Sequence, residues 1–321
     1  MTAKTITLPN GRNMPILGFG TWQATKEELT AALDNALAAG YRHIDTAPVY
    51  ENEEVIGEVL ERWIHSGKIK REDLFIVTKV PPTGHRPGGV SKWIDKSLNA
   101  LRLSYLDLYL IHTPFSFEEV GDDLHPKDEE GNIKIDTNTD HLAMWQEMEK
   151  QVAAGKTLAI GLSNFNEKQI TRVLSHAKQP VSNLQIELHV YFQQKEMVSF
   201  CRKNNIAVTA YSPLGTRGLV KMLGQDEKIP SIMDNSVVIN IAKKHQKTSA
   251  QIALKFLIQQ NIVAIPKSTN PVRIQDNINL FDFELDKEDL KELESLDRGT
   301  AARICDFNFF KGIRNHPEFP F

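Results

Sequence analysis

Two cysteines in 321 residues, Cys201 and Cys305, are too few for a disulfide framework, and no C-x-x-C or His/Cys cluster suggests a metal. No apolar run reaches the roughly 18 residues a membrane-spanning helix needs. The opening stretch MTAKTITLPNG lacks the apolar core of a signal peptide, and no Asn-x-Ser/Thr acceptor occurs. A cytoplasmic location is therefore expected, with no membrane partner. Charge of one sign is also scarce: the net charge of −3 provides no basic footprint for nucleic acid. No linker rich in Pro, Gly or Ser divides the chain, which predicts one domain over residues 1–321. The dinucleotide fingerprint is absent as well. Leu17-Gly18-Phe19-Gly20-Thr21-Trp22 contains a Gly-x-Gly but no third glycine at the required place.

What is present is alternation. Thr5-Ile6-Thr7-Leu8, an Asn10-Gly11 turn and a second short run predict a β-hairpin that caps one end of the fold. Eight β-rich runs follow: Ile16–Gly20, Arg42–Asp45, Phe75–Lys79, Leu106–His112, Leu158–Ser163, Asn183–Glu187, Ala207–Ser212 and Val263–Lys267. Amphipathic segments separate them: Lys26–Ala39, Asn52–His65, Val90–Leu101, His141–Ala154, Glu167–Ala177, Lys195–Asn204 and Ala250–Gln260, with Asn270–Leu280 the eighth. Strand then helix, eight times, predicts a parallel (β/α)8 barrel of the TIM type; a doubly wound open sheet is the runner-up, since periodicity cannot show closure. Two long insertions, Phe115 to Thr139 and Leu214 to about Asn235, fall where barrel enzymes carry substrate loops. A short helix, Asp286–Leu296, precedes a tail too aromatic for a solvated end, and that tail is expected to pack over the barrel mouth.

The strands end in polar residues: Trp22, Asp45, Lys79, His112, Ser163-Asn164, Gln185 to Glu187, Tyr211-Ser212 and Lys267-Ser268. One such residue marks no more than an exit into solvent. A ring of them converges on one face, where barrel enzymes keep their chemistry. The fullest stretch is Gly40-Tyr41-Arg42-His43-Ile44-Asp45-Thr46-Ala47-Pro48-Val49-Tyr50-Glu51-Asn52-Glu53, ending at Ile56-Gly57. An acid ends its strand and a tyrosine, five residues on, is expected to open the next helix. Asp45, Tyr50, Lys79 and His112 together suit proton donation to a carbonyl oxygen. The ammonium of Lys79 is expected to pull the phenol below its ordinary pKa of about 10. Lys267, Ser268, Arg273 and a helix start near Asn270 make a phosphate socket.

The stretch around Asp45 and Tyr50 resembles the signature of the aldo-keto reductases, and the resemblance covers nearly the whole chain. It implies NADPH/NADP+ as cofactor, a small-molecule carbonyl substrate, and a monomer. It also implies Tyr50 as proton donor, Lys79 and Asp45 behind it, and His112 orienting the carbonyl. The dinucleotide is bound without the missing fingerprint: Thr21 and Trp22 lie beside it, Ser163, Asn164 and Gln185 hold the carboxamide, and Tyr211 stacks on the nicotinamide. Ser212, Leu214 and Thr216 then line the pyrophosphate path, and Lys267, Ser268, Thr269, Arg273, Asp276 and Asn277 hold the adenosine end. The substrate pocket is drawn from Trp22, Val49, Pro81, His112, Thr113, Phe115, Phe117, Cys305 and Phe307, with about half of the aromatic candidates expected to be loop-anchoring core instead. Pro81 and Thr113 stand where aldose-reductase-like members usually carry tryptophans, which widens the pocket. The chain is similar to insect members that reduce ecdysteroid ketones such as 3-dehydroecdysone. Two other functions fit the residues less well. A non-catalytic NADP-binding sensor has no need of four intact chemical groups, and a barrel hydrolase lacks its His-x-His pair. Tyr191-Phe192-Gln193-Gln194-Lys195 fits the Tyr-x-x-x-Lys of short-chain dehydrogenases but without their glycine-rich turn, and is read as chance.

Overall fold

The computed structural model describes residues 4–224 and 229–321. Eight parallel strands form one sheet: Phe19–Gly20, His43–Asp45, Phe75–Val80, Leu108–Ile111, Ile160–Ser163, Asn183–Glu187, Ala207–Tyr211 and Val263–Ala264, each paired with its chain neighbour. The last returns to the first. Leu17 bridges Ala264 in parallel, the Gly18 N–H donates to Ala264 O at 2.8 Å, and the Ala264 N–H donates to Ile16 O at 3.0 Å. These bonds close the barrel and remove the open-sheet alternative. All eight expected strands are present, several shorter than drawn: Ser212, His112 and Lys267 lie just past the last paired residue.

Local chemistry explains the element ends. Thr25 and Glu28 form a capping box at the start of helix Lys26–Ala39, and Gly40 ends it at φ 106°, a left-handed cap that glycine adopts at little steric cost. Gly57 of the signature lies in helix Glu53–His65, where a Cβ would sit 2.2 Å from the Ala100 carbonyl of helix Gly89–Leu101. Gly57→Ala must push these helices apart. The expected cost is about 1–3 kcal/mol, read as a lower urea midpoint; an unchanged midpoint would mean the helices separate freely.

The hairpin Thr5–Thr7/Asn13–Pro15 sits at the end opposite the polar strand ends. Leu8 and Met14 are buried, and Met14 reaches Asn183 inside the barrel. Arg12 and Arg71 both pair with the buried Asp107, at 2.9 and 2.7 Å. The first long insertion contains an antiparallel pair, Ser116–Phe117 with Ile135–Asp136. The second holds helix Arg217–Met222 and is followed by helix Ser236–His245, neither expected from the sequence; residues 225–228 of that insertion lie outside the described residues. Among the described residues no helix is long and apolar enough to cross a membrane, and no cluster of ligating side chains could hold a metal.

Candidate active site

Asp45 ends the second strand, opposite Gly20 on one side and Val77 on the other. Lys79, fully buried on the third strand, points across at it. Its Nζ donates to Asp45 Oδ1 at 2.7 Å and to the Thr46 carbonyl at 2.8 Å, and it lies 3.4 Å from Tyr50 Oη. The other Asp45 oxygen accepts from Gln185 Nε2 at 2.7 Å. Thr21 Oγ1 donates to the Asp45 carbonyl at 2.9 Å, and Asn52 Nδ2 donates to Thr21 O at 2.8 Å. The acid is held from three sides. Thr21, expected beside the cofactor, has its hydroxyl committed to this bracing.

Tyr50 does not open a helix. It ends a single 3-10 turn, Pro48–Tyr50, with Glu51 left-handed after it, and the helix begins at Glu53. Pro48 starts the turn and supplies its fixed φ. Tyr50 is half-buried, and desolvation raises its pKa above 10; Lys79 pulls it back down and Asp45 raises it again. The net direction corrects the sequence expectation, because desolvation outweighs the ammonium. Tyr50 is therefore protonated across the neutral range. Burial likewise opposes the charge on Lys79, but Asp45 and Tyr50 outweigh it and hold Lys79 above the ordinary lysine value.

His112 follows the fourth strand, its ring packed edge-on against Tyr50 at 5.9 Å. Burial, with Lys79 and His85 adding to it, drives its pKa well below 6.5, so the imidazole is neutral. Its Nδ1 is buried without a partner among the described residues. Its carbonyl accepts from Asn164 Nδ2 at 2.9 Å, and Asn164 Oδ1 accepts from Tyr211 Oη at 2.8 Å. Asn164 and Ser212 are both left-handed, at φ 65° and 51°, which turns the chain sharply at the ends of the fifth and seventh strands, on either side of the sixth. Ser163, Asn164, Gln185 and Tyr211 thus connect by hydrogen bonds to Asp45 and His112, with Ser212 next in the chain.

The expected phosphate socket lies at the eighth strand. Asn270 caps helix Pro271–Ile278 by accepting the Arg273 N–H, and Ser268 Oγ accepts the Asn270 N–H. Lys267 Nζ reaches the Gln23 carbonyl at 2.7 Å; desolvation lowers its pKa, opposed by Glu28. The Arg273 side chain is exposed beside them, Thr269 and Asp276 are half-buried, and Asn277 is buried inward. Two cations at a helix start suit the phosphates of a dinucleotide, and the amides of Asn164 and Gln185 suit its carboxamide, so these residues fit NADPH. Leu214 is half-buried in the loop after the seventh strand, and the left-handed Thr216 precedes helix Arg217–Met222.

The tail does cross the mouth. Ile304 and Cys305 pack with Leu219, Val220, Trp22 and Tyr211, while Phe307 meets Phe115 edge-on at 5.1 Å. Phe115 and Phe117 are buried in a satellite cluster with Ile133 and Ile313. They anchor the tail to the first insertion, which corrects their assignment as pocket walls. Trp22 and Val49 are half-buried, Phe307 is buried in the same cluster as Phe115, and Pro81 and Thr113 are buried, the latter donating to Phe115 O. Burial raises the Cys305 thiol well above its usual range, so it is not activated.

Tyr191 and Lys195 make no pair. Tyr191 is buried and its hydroxyl accepts from Asn235, whereas Lys195 lies toward Glu294 and Asp297. Two features escaped sequence reading. Gln185 touches Asp45 across 140 residues, and Glu187 binds the tail across more than a hundred; no local pattern marks either.

The comparisons agree with this geometry. The model of the aldo/keto reductase family matches residues 16–298. Aldo-keto reductase family 1 member A1 of Mus musculus is 43% identical over 100% of this chain and 99% of its own length. Family 1 member C18 of Rattus norvegicus is 40% identical over 98% of this chain and 96% of its own. A solved structure of the aldose reductase from Schistosoma japonicum superposes with a TM-score of 0.90 at 39% identity, over 99% of this chain and 98% of that one. With the barrel closed and its mouth furnished as described, a chain so matched from end to end belongs to the aldo/keto reductase family and is an NADP-dependent oxidoreductase of carbonyl compounds.

Proposed function

We propose that this enzyme reduces a bulky, apolar ketone or aldehyde to its alcohol, with Tyr50 donating the proton. The contact that carries the reading is Lys79 Nζ, buried between the Asp45 carboxylate and Tyr50 Oη. NADPH supplies the hydride when bound. His112, neutral, donates a hydrogen bond that orients the carbonyl oxygen toward Tyr50. As negative charge develops on that oxygen, Tyr50 gives up its proton, because an alkoxide is a far stronger base than a phenolate. The Lys79 ammonium, held by Asp45, stabilises the phenolate left behind. Gln185 and Asn164 hold the carboxamide, and Lys267, Ser268 and Arg273 the 2′-phosphate.

Support for a large apolar substrate comes from the rim. Trp22 is half-buried and Phe309 substantially exposed, and Pro81 and Thr113 stand where the family resemblance implies larger rings. A steroid ketone, of which 3-dehydroecdysone is one case, is the substrate class this reading puts forward. NADPH oxidation measured over sugars, aliphatic aldehydes and steroid ketones tests this; a sugar turned over with far higher kcat/KM than any steroid would refute it.

Coenzyme preference gives a separate test. Lys267→Met and Arg273→Met are each expected to raise the NADPH Kd by about 10-fold or more, as loss of a charge-assisted contact implies, and to leave the NADH Kd nearly unchanged. The NADPH effect should shrink with added salt. Fluorescence titration of both coenzymes reads it, and equal losses for the two would remove the phosphate assignment.

A further inference from the structure

Glu187 has no role in the chemistry above, yet it is a fully buried carboxylate at the mouth of the barrel. It ends the sixth strand two residues past Gln185. Its Oε1 accepts the Ile304 N–H at 2.8 Å and its Oε2 accepts the Cys305 N–H at 2.7 Å. His189 Nε2 donates to Oε1 at 3.0 Å, and this pair is wholly enclosed. A carboxylate removed from water persists as a charge only when such donors replace its hydration. Here two of the three donors are consecutive backbone amides of the tail, so the seat is specific for that point of the chain.

The surroundings add to it. Arg298 N donates to the Tyr191 carbonyl at 2.8 Å, so the segment after Glu187 receives the tail twice. The Arg303 guanidinium lies 4.6 Å from the Phe192 ring and 3.5 Å from the Phe321 ring, within the field of Glu187. The two residues that Glu187 grips pack on Trp22, Tyr211, Leu219 and Val220. Cys305 also lies within electrostatic reach of Tyr50 and beside Ser212.

We propose that Glu187 is a positioning residue for substrate selection: by seating Ile304 and Cys305 it fixes the tail's wall of the pocket beside Tyr50. The proposal rests on the reading of Tyr50 and the tail as the substrate site. Without this seat the barrel and the catalytic four remain, since Glu187 touches none of them, but the wall that large substrates press on is loose. Small carbonyls need little of that wall.

Glu187→Gln tests it, because the isosteric amide must turn an NH2 toward one of the two tail N–H groups. The whole enzyme is assayed with propanal and with 4-nitrobenzaldehyde, and its two thiols are titrated with Ellman's reagent. Cys305 should react about 10-fold faster or more, the mark of local opening, while Cys201 stays as slow as in the unaltered enzyme. KM for the aryl aldehyde should rise about 5-fold or more, with kcat for both aldehydes and KM for propanal changed less than about 2-fold. An unchanged Cys305 rate, or equal shifts in the two KM values, would overturn the proposal. If Glu187→Gln exposes Cys201 too, His189→Leu removes one partner from the Glu187 carboxyl group and is judged by the same two readouts. Propanal turnover separates this from the Tyr50 reading, since Tyr50→Phe should abolish it.

Discussion

Tyr50→Phe should lower kcat for every carbonyl by about 10²–10⁴-fold, the usual contribution of a general acid, while the NADPH Kd stays as it was. The substitution removes one oxygen. The ring keeps its edge-on contact with His112, and Lys79 keeps Asp45 Oδ1 and the Thr46 carbonyl, so neither the fold nor the carboxamide contacts are disturbed. Burial keeps Tyr50 protonated at neutral pH, so the group lost is the acid itself and not a minor ionised form. Single-turnover oxidation of NADPH, with coenzyme binding measured by fluorescence, separates chemistry from affinity. A variant that keeps most of its rate would move the proton donor to another group.

Lys79→Met carries the other large effect, on stability as well as rate. Lys79 has no exposed surface, and its loss leaves Asp45 buried with Gln185 as its remaining side-chain donor among the described residues. Breaking a buried pair from one side costs about 3–5 kcal/mol. The pH dependence has a definite sign. Lys79 and Tyr50 both have folded pKa values above their ordinary ones, so the folded state holds their protons more tightly than the unfolded chain does. That stability is fully present below about pH 10 and is lost as pH rises through the folded values. Urea midpoints of the enzyme and of Lys79→Met should therefore differ most near neutrality and converge in strong alkali. A difference that widens in alkali would reverse the assignment of charge.

Much of this was legible because barrel strands carry their information locally. Each apolar run ends in the residue that the mouth displays, so Asp45, Lys79 and His112 could be placed by counting along their own strands. A helix start was readable where a side chain caps it, as near Asn270. Tyr50 was placed correctly in space but on the wrong element, since one 3-10 turn after Pro48 has no periodicity to show. The direction of its pKa depended on desolvation, a property of packing that no neighbouring residue announces. Helix Ser236–His245 follows a long polar insertion and was passed over with it. Phe115, Phe117 and Glu187 were visible as residues, but their partners lie in the tail some two hundred or more than a hundred positions away.

In the proposed mechanism Lys79 acts on the reaction through Tyr50 and not beside it. A cycle of Tyr50→Phe, Lys79→Met and the double variant, read as single-turnover rates with saturating NADPH at a temperature where all fold, tests that most directly. If the phenol is the proton donor and the ammonium its support, the double variant is no slower than Tyr50→Phe alone. Losses that multiply, with Lys79→Met slowing a chain that already lacks the Tyr50 hydroxyl, would contradict it.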